Sequence, residues 1–114
     1  MILTQNGRLA YHRKRTHDEF FEVCIEELGQ AKKPFPAPLI IYPVGIEPLF
    51  LHILENNQLL VVGSTRIQVW GTNTVIPIKE DVEVSIINAA LFLQPENVLL
   101  LATEKGLCKH SIDD

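Results

Sequence analysis

The chain has 114 residues, of which 46% are hydrophobic and 21% charged, and its formal net charge is -4 at pH 7. These values are typical of one globular domain with a modest core, and the mild acidity disfavours a surface that follows phosphates. No apolar run approaches the roughly 18 residues of a membrane helix, and the first residues lack the pattern of a secretory signal, so we expect no membrane contact and a cytoplasmic or nuclear location. Two cysteines, Cys24 and Cys108, form no Cys-x-x-Cys pair, which predicts buried thiols and neither a zinc site nor a disulfide framework.

A hairpin is the first predicted element. Two short apolar segments, 2–4 and 9–11, flank Asn6-Gly7, and this dipeptide favours a two-residue turn because both residues tolerate positive φ. The tetrapeptide Thr4–Gly7 is similar to Thr103–Gly106, so residues 1–13 are a candidate third copy of the repeat described below.

Residues 12–19 are the only candidate chemical site, because they collect two imidazoles, three cations and two carboxylates. A basic patch with a stacking ring would suit nucleic acid or an anionic partner. The spacing of five between the imidazoles is not the i, i+4 placement of a helical metal site, so we expect no metal or other cofactor. The plain interpretation is a solvated charged loop. The candidate partner-binding residues are Tyr11, Arg13, Lys14 and Arg15, and the weak metal candidates are His12, His17, and Asp18 or Glu19.

The next segment, 16–29, has two competing interpretations. As a helix it has a capping box, Thr16 with Glu19, and a terminal Gly29. As the outer strand of a sheet it alternates Phe21, Val23 and Ile25 with polar or small residues. A helix near 17–28 would make the chain an α+β domain in which segment 12–19 binds nucleic acid or serves a metal-dependent nuclease. Both interpretations stay open.

A proline-rich connector follows. Pro34, Pro36 and Pro38 alternate with other residues and favour an extended path, and their spacing of two differs from a PxxP ligand. The predicted organisation is therefore a unit at 1–33, a connector at 34–38, and a strand-rich region at 39–114.

The strand-rich region contains a repeat. Segments 57–70 and 97–110 align without a gap at a separation of 40 residues, and each copy predicts a strand, a polar turn and a second strand. Leu51 aligns with Leu91 and Ile53 with Leu93, so the two units extend to about 49–72 and 89–113. Trp70 is the lone tryptophan, and we expect it to pack between repeats rather than to bind a ligand. Gly63 and Gly106 are the glycines of the two copies.

The residues show no pattern of catalysis. The six glycines are isolated, and no Gly-x-Ser-x-Gly sequence occurs. Paired acids such as Glu80-Asp81 are adjacent, and neighbours on a strand point to opposite faces. We therefore predict no catalytic residues.

Leu59–Trp70 resembles the middle strands of a WD40 blade, and Leu99–Asp113 resembles the blades of citron-homology propellers. The chain departs from the WD40 pattern because Trp70 precedes Gly71 instead of Asp, no Gly-His pair precedes either unit, and His110 replaces Trp70 in the second copy. The resemblance implies a mainly β fold of two or three propeller-like antiparallel blades in an incomplete array. Two or three blades cannot close a ring of four to eight, so open faces would remain. We therefore expect a non-catalytic scaffold module with a protein partner or self-association.

Overall fold

The computed structural model describes residues 2–5, 7–27, 29, 38–72, 74, 76–83 and 85–112. Across these ranges the chain is built from β-strands, and the prediction of a mainly β fold is confirmed. The strands are β1 Ile2–Gln5, β2 Arg8–Lys14, β3 Phe21–Glu27, β4 Ile40–Tyr42, β5 Phe50–Ile53, β6 Leu59–Val62, β7 Arg66–Trp70, β8 Lys79–Val82, β9 Ile87–Leu93, β10 Val98–Thr103 and β11 Gly106–Ser111.

The strands form three antiparallel sheets, in each of which neighbours in space are also neighbours in sequence. Sheet 1 has the order β1-β2-β3-β4, sheet 2 the order β5-β6-β7-β8, and sheet 3 the order β9-β10-β11. The sheets do not close on one another. β4 lies beyond the proline-rich connector and yet pairs with β3, so sheet 1 includes residues from both sides of it. Residues 34–37 of the connector lie outside the described residues, as do residues 30–33 before it.

The N-terminal hairpin forms as predicted. Gln5 pairs with Arg8, which leaves a two-residue connection, and Gly7 has a φ of 73°. Asn6 lies outside the described residues. β1 is the first strand of sheet 1, as β5 is of sheet 2 and β9 is of sheet 3. The hairpin β1–β2 therefore corresponds in position to the hairpin β5–β6. The similarity of segment 4–7 to segment 103–106 is therefore a similarity of turns.

The prediction of a helix at 17–28 is wrong, and the α+β alternative that depends on this helix is wrong too. The capping signals produce a single turn, in which the Glu19 amide donates to the Arg15 carbonyl at 2.9 Å and Glu19 adopts a φ of 56°. The chain then enters β3, which pairs with β2 on one side and β4 on the other. Two ladders of backbone hydrogen bonds outweigh a local helix preference that is weak by comparison. β3 is thus an interior strand of sheet 1, whereas the strand interpretation placed it at the edge.

Two apolar cores join the sheets, and sheet 2 lies between them. The first core combines residues of sheets 1 and 2: Ala10, Val23, Ile25, Tyr42, Val44, Leu51, Ile53, Leu59, Val61 and Trp70. The second combines residues of sheets 2 and 3: Leu54, Leu60, Val62, Ile67, Val69, Ile87, Phe92, Leu99 and Leu101. β6 illustrates the arrangement, because Leu59 and Val61 face sheet 1 while Leu60 and Val62 face sheet 3. All four are buried, as expected for a strand covered on both faces.

The repeat is visible in the strand register. Leu59 pairs with Trp70, and Leu99 pairs with His110, so β6–β7 and β10–β11 have the same register at an offset of 40. The predicted upstream alignment, Leu51 with Leu91 and Ile53 with Leu93, is wrong by one residue. Ile53 pairs with Leu59, but the residue that pairs with Leu99 is Phe92. Six residues separate Phe92 from Leu99, whereas five separate Ile53 from Leu59, so one extra residue between the paired positions shifts β9 by one position.

The first strands of the sheets lie side by side. β1 contacts β5, and β5 contacts β9. The sheets therefore follow one another in chain order, with their first strands along a common line and their later strands on the far side. β8 was not predicted from the sequence, because it lies between the two predicted units, 49–72 and 89–113.

Candidate interaction surface

The outer face of sheet 3 is an exposed apolar surface. Leu99 and Leu101 face sheet 2 and are fully buried, so their neighbours along β10 point the other way. Leu91 and Leu107, on the strands either side, are 56% and 72% exposed. The apolar residues that point outward are Ala89, Leu91, Leu93, Val98, Leu100, Ala102 and Leu107. Exposed apolar patches are typical of interaction sites on soluble proteins in general.

The outer face of sheet 1 differs, because polar groups partner one another across it. It carries Leu9, Tyr11 and Arg13 on β2, which pair with Glu26, Cys24 and Glu22 on β3. Arg13 Nε donates to Glu22 Oε2 at 3.0 Å. Burial and a hydrogen bond to Glu26 raise the pKa of Tyr11 well above its usual range. This face is therefore half apolar, with its charges at the margins.

The two arginines of the basic segment are paired with carboxylates of the same chain. Glu22 accepts from Arg13 and lies 3.5 Å from Arg15 Nε, and Arg15 Nε lies 3.2 Å from Asp18 Oδ1. Lys14 stands over the Phe21 ring, with its ammonium 5.2 Å from the ring centroid. These contacts leave little free positive potential for a phosphate backbone. Tyr11, engaged with Glu26, is not presented as a stacking ring.

The imidazoles of this segment are separated. His12 lies on β2 beside the Phe21 ring, with centroids 6.2 Å apart, and burial lowers the pKa of His12. His17 lies in the turn with its side chain 78% exposed, 3.9 Å from an oxygen of Asp18. Within the described ranges, no three His, Cys, Asp or Glu side chains are close enough to hold a metal ion.

Two polar clusters link the sheets behind these surfaces. Between sheets 1 and 2, the buried Gln68 accepts from Trp70 Nε1 at 3.0 Å, while its own Nε2 donates to Glu80 Oε2 at 2.6 Å and to the Val44 carbonyl at 3.3 Å. Trp70 also contacts the Tyr42 ring, with centroids 5.5 Å apart. The indole therefore packs in a sheet interface and presents no open ring to a ligand.

Between sheets 2 and 3, His110 occupies the position of Trp70 in the repeat. His110 Nε2 lies 3.0 Å from Asp81 Oδ2, and its Nδ1 lies 3.7 Å from Glu83 Oε1. Adjacent Glu80 and Asp81 point to opposite faces of sheet 2, as predicted. The sequence missed the partnership of His110 with Asp81, although the replacement of Trp70 by His110 in the aligned copies was a signal that this position reaches across a sheet interface.

A cleft of about 410 Å³ opens beside this second interface, lined in part by Leu54, Asn56, Lys79, Asn97 and Ile112. Lys79 Nζ donates to the Ile112 carbonyl at 3.4 Å, which ties sheet 2 to the end of β11. The lining combines amide and aliphatic groups with the Glu55 carboxylate and the Lys79 ammonium.

The glycines of the two copies serve backbone geometry. The position of a side chain on Gly63 would lie 3.1 Å from the Ile46 side chain, so the close approach of Ile46 to β6 favours glycine there. Gly106 has a φ of 119°, which a residue with a side chain rarely adopts.

Comparison of the chain with family models, curated proteins and solved structures finds no match. The part of the chain that the structure describes contains no helix long and apolar enough to cross a membrane.

Proposed function

We propose that this protein is a non-catalytic β-repeat module that acts in protein–protein contact or assembly through the open faces of an incomplete, propeller-like array of sheets. The observation that carries the proposal is the exposed apolar outer face of sheet 3. Exposed Leu91 and Leu107 on one side of a sheet whose other side is buried are costly in water unless a partner covers them.

The order of the sheets supports the propeller-like part of the proposal. Each sheet is an antiparallel meander, its first strand adjoins the first strand of the next sheet, and apolar side chains fill the space between successive sheets. This arrangement is typical of consecutive propeller blades. A cytoplasmic or nuclear location remains part of the proposal.

A fluorescent apolar probe such as bis-ANS, combined with light scattering, tests the proposal. Leu107→Glu should reduce probe binding or association of the folded chain, because it places a charge in the outer face of sheet 3. Val82→Glu is the matched control, since Val82 is 68% exposed at the edge of sheet 2. If neither probe binding nor association differs between wild type and Leu107→Glu, the face has no role in contact and the proposal fails.

The nucleic-acid alternative stays a prediction that the same preparations can test. Its helical premise is wrong, and Arg13 and Arg15 are partnered by Glu22. Fluorescence anisotropy with a single-stranded oligonucleotide should show no saturable binding at physiological salt, whereas Glu22→Gln should raise binding by freeing the guanidinium groups. Tight, salt-dependent binding by wild type would favour the alternative.

A further inference from the structure

We propose that the outer face of sheet 3 is an interface for a second copy of this chain, which it contacts head to tail through the outer face of sheet 1, so that two chains close one ring of six sheets. The inference rests on the proposed function and identifies the partner.

The repeat shows what covers such a face. At the offset of 40, the outward residues Leu100, Ala102, Leu107 and Lys109 of sheet 3 occupy the positions of Leu60, Val62, Ile67 and Val69 in sheet 2. Those four residues of sheet 2 are between 0% and 4% exposed, because sheet 3 covers them. The face that is open in sheet 3 is thus the face that, in sheet 2, packs against the next sheet.

The outer face of sheet 1 is the matching surface in a second copy. Within the chain, sheet 3 covers sheet 2 with the side that carries the pair Leu101 and Cys108. Sheet 2 covers sheet 1 with the side that carries Val61 and Gln68, which is the same pair at the offset of 40. In sheet 1 the outward side carries Tyr11 paired with Cys24 as its central row. Cys24 is itself buried, so the contact area of that row comes from the half-buried Tyr11 side chain and from Ile41, which pairs with Cys24 and is 44% exposed.

Charge complementarity favours this pairing of faces over two sheet 3 faces. Lys109 is the one charged side chain that points outward from the described strands of sheet 3. On sheet 1, Arg13 is compensated by Glu22, and Glu26 supplies the remaining negative charge. Two sheet 3 faces packed together would bring two Lys109 ammonium groups into one apolar interface, where like charges are destabilising.

Ring closure removes both open faces at once. A head-to-tail contact uses different surfaces on the two partners, and it ends in a closed ring when the rotation between copies closes. Three sheets from each of two chains give six, within the four to eight of closed propellers. The line of first strands, β1, β5 and β9, would continue from β9 of one copy to β1 of the other.

Sedimentation equilibrium and light scattering on the full chain test the proposal. Wild type should have twice the chain mass of 12.9 kDa. Leu107→Glu should be monomeric, and Val82→Glu should remain dimeric. Glu26→Lys and Lys109→Glu should each weaken the dimer by about tenfold or more, and the double charge swap should restore most of that loss, because it exchanges the partners without removing the pair. Circular dichroism verifies that each variant is folded.

Each other outcome overturns the proposal. A wild-type monomer at all concentrations overturns it, and the proposed function survives that result if the monomer binds the apolar probe through Leu107. A dimer that Leu107→Glu breaks and Glu26→Lys leaves unchanged would be a sheet 3 pair. A mass that grows with concentration beyond two chains would be an open filament. If both single charge variants weaken the dimer and the double variant does not recover it, direct pairing of the two faces is excluded.

Discussion

The polar cluster around Gln68 should be a measurable determinant of how sheets 1 and 2 pack. Gln68 is 4% exposed, and its amide group serves Trp70, Glu80 and Val44 together. Gln68→Leu keeps the volume similar and removes all three hydrogen bonds. The indole N–H and the Val44 carbonyl then lie in the interface without this partner, whereas Glu80 is exposed enough to return to water.

The size of the effect follows from these partners. A buried polar group that loses its partner costs about 1–3 kcal/mol, and the added burial of leucine offsets part of that cost. We expect Gln68→Leu to lower the free energy of unfolding by about 2 kcal/mol. Trp70→Phe should cost roughly 1–2 kcal/mol through lost volume. The double variant should cost about 1 kcal/mol less than the sum of the two, because phenylalanine has no N–H to leave unsatisfied.

Urea unfolding followed by far-UV circular dichroism measures all four proteins of this cycle. Dichroism is required because Trp70 is the only tryptophan, so fluorescence is lost in two of the variants. Gln94→Leu is the matched control, since Gln94 lies exposed in the β9–β10 turn and should change stability by less than about 0.5 kcal/mol. If the costs of the two single variants add up to the cost of the double variant within about 0.5 kcal/mol, the coupling between Gln68 and Trp70 is refuted.

Three further outcomes are expected. Gly45→Ala should lower stability by roughly 1–2 kcal/mol in urea unfolding, because Gly45 has a φ of 72° and an added carbon would lie 2.9 Å from the Phe20 ring; an unchanged midpoint would contradict this reasoning. Burial lowers the pKa of His52 below its usual 6.5, so the folded state binds protons less readily and stability should be full above pH 6.5 and fall as the pH falls through the lower folded value. His52→Gln should flatten this part of the stability profile, and an equally steep profile would assign the effect elsewhere. In a thiol assay with a chromogenic disulfide, Cys108 should react before Cys24, which is fully buried and has its pKa raised by that burial; Cys108→Ser should remove the fast phase, and a fast phase that persists would mean that Cys24 is accessible.

The strands of the repeat could be predicted because the two copies have turns of the same length and the same strand register. The segment 57–70 matches 97–110 in length as well as in pattern, and the structure gives both the same register. The error upstream has a simple cause. Leu51 and Leu91 are the same residue type at the same offset, but one extra residue between the paired positions of β9 and β10 moves β9 by one position, and a shift of one turns every side chain of a strand to the opposite face. Leu91 is consequently 56% exposed where Leu51 is 3% exposed.

The candidate site was less predictable because it depends on pairing between strands. Arg13 and Glu22 are nine residues apart, and only the β2–β3 register makes them direct neighbours. Sequence alone therefore showed a basic cluster and missed its neutralisation. The capping signal at Thr16 was likewise local, and the ladders around β3 are not.

The composition of single strands also reflects the place of each sheet in the array. β6, buried on both faces, reads as an uninterrupted apolar run, Leu-Leu-Val-Val. β2, in sheet 1, carries the exposed Arg13 on the face opposite the buried Ala10, so its two faces differ in polarity. β10 lies in sheet 3, whose outer face is exposed, and yet it reads Val-Leu-Leu-Leu-Ala, an apolar run like that of β6. A sheet that faced water would gain solubility from polar residues on that side at no cost to its buried side. The sequence of β10 therefore agrees with the proposal that a partner covers the outer face of sheet 3.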